Sequence, residues 1–222
     1  MLLMMQGLHP FYDDRVNDLM DFRIYVDITP ETKFNWKVQR DCEERGWTVD
    51  QVKEQIKARE PDFNAYIDPQ KEKADVVIQV LPTELAKDDK KHLKVEMIQV
   101  KGVDNFTPSY ILDPQAEVDI TLGGIDLGDG PGLKVYQKQQ KWAGKDAVTI
   151  GMDGKYAKIS QMDKLEKMIS DSAAKSAGEA TQKMMEYEGQ PGSNDGTGFL
   201  QTIVSLKVRE IYESITKTKV AA

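Results

Sequence analysis

The chain has 222 residues, 40% of them hydrophobic, enough for one large domain or two small ones with a real core. Its formal charge of −7 argues against a nucleic-acid surface, which needs a basic face, and the single cysteine, Cys42, closes no intrachain disulfide and offers no thiolate cluster to a metal. No apolar run reaches the length needed to span a bilayer, and Met1 to Met5 lacks the basic lead-in of a signal sequence.

In chain order, Leu2 to Met5 reads as a buried strand and Gln6-Gly7-Leu8-His9-Pro10 as the turn after it. In layered α/β proteins the carboxyl end of a strand carries ligand-contacting polar groups, which makes Gln6 and His9 candidates. Either residue also serves as an ordinary turn former. An apolar run at residue 1 with no lead-in reads like a strand continued from a longer chain. Arg15 to Met20 predicts a short helix, and Phe22-Arg23-Ile24-Tyr25-Val26-Asp27 alternates as a strand does.

Thr29 to Thr48 concentrates the cations. Thr29 is a good N-cap and Pro30 a good first helical residue, so a helix starts there and runs until Gly46. On it Lys33, Lys37 and Arg40 fall at i, i+4 and i+7 and share one narrow stripe. Arg45 sits about a third of a turn away, beside a glycine that lets the chain redirect it. Cations held at separate points of a short lever suit phosphoryl transfer, in which charge spreads over several oxygens. They equally suit a solvated, salt-bridged face, because Glu31, Asp41, Glu43 and Glu44 lie within reach; the spacing leaves both readings open. Thr48 and Gln51 form a capping box for a second helix whose apolar side is Val49, Val52 and Ile56 and which should end at Arg59-Glu60-Pro61. Two helices hinged at Gly46-Trp47 make a hairpin able to close as a lid.

Asp62 to Lys71 is expected to be a loop, Ala74 to Pro82 an apolar strand covered on both faces, and Leu93 to Val100 another strand. Between Gly102 and Ile150 glycines punctuate short apolar runs, the texture of antiparallel strands and turns. The glycines of L-G-G-I-D-L-G-D-G-P-G lack the Lys-Ser/Thr of a phosphate cradle and read as turns. Ile159, Met162, Leu165, Ile169 and Ala173 recur at helical spacing in a long helix reaching about Tyr187. Gln190 to Gly198 breaks it, and Phe199, Ile203, Leu206, Val208, Ile211 and Ile215 mark a final amphipathic helix.

The stretches F-R-I-Y-V-D-I-T-P-E-T-K-F-N-W-K-V-Q-R-D-C-E-E-R-G, A-R-E-P-D-F-N-A-Y-I-D-P-Q-K and A-D-V-V-I-Q-V-L-P-T-E-L resemble the phosphoribulokinase family of plant, algal and cyanobacterial type. The likeness runs from Gly7 to Leu85, returns in M-D-G-K-Y from Met152, and again in P-G-S-N-D-G-T-G-F-L-Q-T-I-V-S-L-K-V-R-E-I-Y-E, whereas residues 102–150 match poorly. The resemblance implies an ATP- and Mg²⁺-dependent kinase that phosphorylates the 1-hydroxyl of D-ribulose 5-phosphate to ribulose 1,5-bisphosphate for carbon fixation. It implies a plastid-stromal location, otherwise a cytoplasmic one, and a homodimer or pairing with a full-length subunit. The implied fold is α/β: part of a P-loop-kinase-like layered sheet with a helical lid (30–59) in residues 1–101, then a β-rich segment and two long helices in residues 102–222, packed on the same unit.

Carried over by position, the family's catalytic lysine falls on Lys37, and the arginines of its R-D-x-x-x-R-G motif fall on Arg40 and Arg45, which would clamp the phosphates of ATP and sugar. Arg59 is a further anion contact, and His9 a phosphate contact. Gln6 stands where the family has a glutamate for Mg²⁺; an amide keeps a carbonyl ligand but loses the charge, so weaker metal binding is expected. No G-x-x-x-x-G-K-S/T occurs in the 222 residues. The family's phosphate cradle is therefore expected upstream, and the chain, as the C-terminal portion of the enzyme, is expected to be inactive alone. The alternative is a non-catalytic homologue that binds sugar phosphate or acts as a regulatory subunit. Residues 102–150 hold no cysteine. The pair through which plant enzymes are redox-controlled and join a complex with glyceraldehyde-3-phosphate dehydrogenase thus has no counterpart there.

Overall fold

The structure, a computed structural model, describes residues 2–85, 93–104, 106–111, 113–115, 117–122, 133–154, 159–161, 163, 166, 178–188, 190 and 196–220. It divides into two units, one ending at Val80 and one beginning at Leu81.

In the first unit α1 (Asp14–Asn17) leads to β1 (Ile24–Ile28), which pairs in parallel with β2 (Val76–Pro82), Ile24 opposite Val76 and Ile28 opposite Val80. Val76, Val77, Ile78 and Val80 are all buried, as a strand covered on both faces requires. Asp75 ties the starts of the two strands together: its Oδ2 accepts from the Arg23 N–H at 2.8 Å and from the Arg23 guanidinium at 3.3 Å. The cationic helix, α2 (Pro30–Arg45), has the expected ends. The Thr29 hydroxyl accepts from the Thr32 N–H, and Gly46 stops the helix at φ +67°, a conformation open to glycine at little cost. Next comes α3 (Val49–Asp62), with the Thr48–Gln51 capping box formed in both directions.

Three expectations for this unit fail. The second helix does not end at Arg59-Glu60-Pro61 but runs on to Asp62. The segment after it is not a loop either: a π-helical turn, Phe63–Ile67, runs into a 3₁₀ segment, Asp68–Lys73. Pro61 has no N–H to give and its ring crowds the carbonyl four residues back, so the helix widens after it instead of stopping. Leu2 to Met5, expected as a buried strand, has no regular structure, and its side chains are 56–81% exposed. No strand among the described residues bonds to it, and an extended segment without a ladder leaves its backbone to water and its side chains uncovered.

The second unit is an antiparallel sheet ordered β3 (Leu93–Val100), β6 (Lys145–Gly154), β5 (Leu133–Trp142), β4 (Val118–Leu122). Residues 123–132, the glycine-rich stretch read as turns, lie outside the described residues. The β5–β6 hairpin closes on Ala143-Gly144 with φ +47° and +79°, the pair of positive φ values that a tight hairpin turn demands. Alanine holds that conformation at a cost of roughly 1 kcal/mol. Ala143→Asn is accordingly expected to raise stability by about that amount, read from denaturant midpoints.

Across the sheet Tyr136 lies over Gly151, its register partner, and donates its hydroxyl to Glu96 Oε1 at 2.6 Å. A Cβ at position 151 would stand 2.0 Å from the Tyr136 ring. Gly151→Ala is expected to cost about 2 kcal/mol as an overpacked core, visible as a Tm lowered by roughly 4–8 °C. The last helix, α5 (Gly196–Val220), packs on β3 and β6, and its Phe199, Leu200, Ile203 and Leu206 are buried. Most of the long helix expected from Ile159 to Tyr187 lies outside the described residues. Its described end, α4 (Glu179–Met185), starts afresh after Gly178 at φ +97°. No right-handed helix runs through that value.

Candidate functional site

The cations singled out in the sequence meet on the α2–α3 hairpin. Arg40 and Arg45, predicted to point to different places, share one oxygen: Arg40 Nε lies 2.9 Å and Arg45 Nη1 3.1 Å from Asp41 Oδ1. Asp41 is wholly covered, whereas the two guanidinium groups are 49% and 51% exposed. The hydrogen bond from Arg40 holds the Asp41 carboxyl below the usual range, Arg45 and Lys37 acting the same way against the effect of burial. Its other oxygen, Oδ2, is buried without a hydrogen-bond partner. The Asp41 backbone carbonyl also receives the N–H groups of Gly46 and Trp47. One residue thus fixes both the helix end and two arginine heads, each of which keeps donors turned to solvent.

Lys37 is half-buried one turn before Asp41. Burial pushes its ammonium below the ordinary lysine value; Arg59, Arg40 and Lys33 push the same way, and Asp41 opposes them. Arg59, from α3, therefore belongs to the same field. Lys33 stands 3.7 Å over the Phe63 ring of the π-helical turn, and Arg45 faces the Trp47 ring at 6.0 Å. Such an arrangement of partly exposed cations at several angles can meet a polyanion from more than one side, which a solvated row of ion pairs does not.

Gln6 and His9 lie elsewhere in the unit, and no contact joins either to these cations among the described residues. Gln6 is exposed. His9 is exposed with its ring edge-on to Tyr12, and Tyr12 is edge-on to Tyr66. Among the described residues no group of three His, Cys, Asp or Glu could hold a metal ion. One exposed amide is a poor seat for Mg²⁺, so these residues do not themselves form a metal site.

Two residues of the unit carry more than the sequence reading gives them. Asp41 reads there as a neighbouring anion, although an acid four places before an arginine on a helix is a readable pairing signal. Gln70, inside D-P-Q-K, carries no signal in the sequence and is 3% exposed with three backbone partners. No local pattern announces such a contact.

A model of the phosphoribulokinase / uridine kinase family matches residues 1–87. The chloroplastic phosphoribulokinase of Chlamydomonas reinhardtii is 47% identical over 221 residues, 99% of this chain and 59% of the relative. That of Spinacia oleracea is 44% identical over 224 residues, 100% and 56%, and the phosphoribulokinase of Synechocystis is 42% identical over 217 residues, 97% and 65%. The chain spans a little over half the length of the first two relatives. No described helix is long and apolar enough to cross a membrane. Matched by the family model over its cationic hairpin and by phosphoribulokinases along nearly all its length, the chain belongs to the phosphoribulokinase / uridine kinase family.

Proposed function

We propose that the chain serves in phosphoribulokinase catalysis, the transfer of the γ-phosphoryl group of ATP to the 1-hydroxyl of D-ribulose 5-phosphate. The observation that carries this reading is the hairpin: Lys37, Arg40, Arg45 and Arg59 in one field, with two guanidinium groups seated on one buried carboxylate. Lys37 offsets charge on the phosphoryl group in flight. Arg40 and Arg45 clamp ATP and sugar phosphates through their planar forks, Arg59 is a second-line anion contact, and His9 contacts the sugar phosphate. Mg²⁺ belongs to this reading as the companion of ATP, held chiefly by phosphate oxygens. A plastid-stromal location and a homodimer, or pairing with a full-length subunit, follow from the same kinship.

The test is a chimera in which these 222 residues replace the segment of the Chlamydomonas reinhardtii enzyme with which they align. The chimera is expected to form ADP in a D-ribulose 5-phosphate-dependent manner. The chain by itself, without a G-x-x-x-x-G-K-S/T motif in its sequence, is expected to form none. A folded chimera that binds ATP and turns nothing over would defeat the proposal.

A further inference from the structure

We infer that Gln70 is a positioning residue that fixes the loop Leu8–Phe11 and thereby sets where His9 stands; the inference rests on the reading of His9 as a phosphate contact. The side-chain amide of Gln70 does the work of a short piece of backbone. Its Nε2 donates to the carbonyls of Leu8 at 2.9 Å and Tyr66 at 2.7 Å, and its Oε1 accepts the Phe11 N–H at 2.9 Å. Lys73, one turn further along the same 3₁₀ segment, donates to the carbonyls of Phe11 at 3.0 Å and Tyr12 at 3.4 Å and pairs with Asp14 at 2.6 Å. The His9 carbonyl in turn accepts the Tyr12 N–H at 3.3 Å.

Both sides of His9 are therefore tied to one rigid turn, and its imidazole remains exposed against the edge of Tyr12. One buried and two partly buried hydrogen bonds of Gln70, two of the three to a surface loop that presents an exposed polar ring, match what a binding site needs: a contact group held by neighbours that never touch the ligand. The π-helical turn contributes to the same mount. It brings Tyr66 both under the Gln70 amide through its carbonyl and against Tyr12 through its ring, and irregular turns of this kind recur at functional sites.

The test uses the 222-residue chain, inorganic phosphate as the probe, and two NMR readouts: exchange of the Phe11 amide with solvent, and the phosphate-induced shift of the His9 ring proton. Gln70→Leu removes all three Gln70 bonds and leaves those of Lys73. It is expected to speed Phe11 exchange and to weaken the phosphate response of His9, each by about tenfold, the equivalent of a lost buried hydrogen-bond partner. Gln70→Glu keeps the acceptor for the Phe11 N–H but sets a carboxylate against two carbonyls. It should leave Phe11 protected and still weaken the His9 response, a separation that a general loss of stability does not produce. Should Gln70→Leu fail to fold, the Glu variant carries the test. A normal His9 response in a folded variant whose wild type responds overturns the inference and leaves the reading of His9 standing. A wild-type chain whose His9 ignores phosphate overturns that reading and the inference with it.

Discussion

Lys37→Met is expected to lower D-ribulose 5-phosphate-dependent ADP formation in the chimera by about a hundred- to a thousandfold, the effect of removing one donor aimed at developing charge. The loss should fall on kcat, with KM nearly unchanged, because charge on the phosphoryl group builds up only on the way to the transition state. The same substitution should leave Tm unchanged or raise it. Lys37 titrates below the ordinary lysine value of 10.5 because it is partly buried and stands among Arg59, Arg40 and Lys33. Between its lowered pKa and 10.5 the unfolded chain binds more protons than the folded one, so stability rises with pH through that window. At neutral pH the charged ammonium is thus a cost to the fold, and a methionine of similar reach relieves it. A bound triphosphate reverses the sign by favouring the charged form, so anion affinity should fall as pH rises through the lowered pKa. A Met variant with a lower Tm and intact kcat would mean that Lys37 serves packing rather than phosphate.

The parts legible in the sequence are those decided within a few residues. Thr29 with Pro30, Gly46, and the Thr48–Gln51 box each bracket a helix through their own hydrogen bonds or φ angle, and the structure places both hairpin helices between them. The alternation of Phe22 to Asp27 and the apolar run Val76 to Val80 likewise became paired strands. What was not legible depends on what a segment finds around it. Leu2 to Met5 carries a strand composition, but a strand exists only in a ladder. Pro61 is a helix breaker by local rules, yet the backbone passes through it and widens into Phe63–Ile67, where Phe63 meets Lys33 and the Tyr66 carbonyl meets Gln70, contacts that no local rule reads. The convergence of Arg40 and Arg45 was hidden because adjacent positions on a helix do not face each other. Arg40 reaches its neighbour Asp41 only by folding back through Nε.

Asp41→Ala is expected to cost the chimera about a hundredfold in turnover, the scale on which a displacement of roughly 1 Å in a positioning group is felt. Without the shared Oδ1, Arg40 and Arg45 lose the one point that sets their separation, and two long side chains regain their rotamers. Asp41→Asn separates geometry from charge. Both guanidinium groups use the same oxygen, while Oδ2 is buried and receives no hydrogen bond. An asparagine can keep its oxygen toward the arginines and place its NH₂ where Oδ2 now sits, preserving the arrangement with weaker bonds. The Asn variant should therefore lie between wild type and Ala. Its carboxylate counterpart stays ionised through neutral and mildly acidic pH, because the hydrogen bond from Arg40 lowers its pKa from the ordinary 3.8. The clamp itself should accordingly contribute no break to the pH profile of turnover between about pH 5 and 8, the range in which only groups titrating near neutrality change charge. If Asn is as damaging as Ala, the negative charge and not the shared seat is what the arginines require, and the geometry of the pair would cease to explain their role.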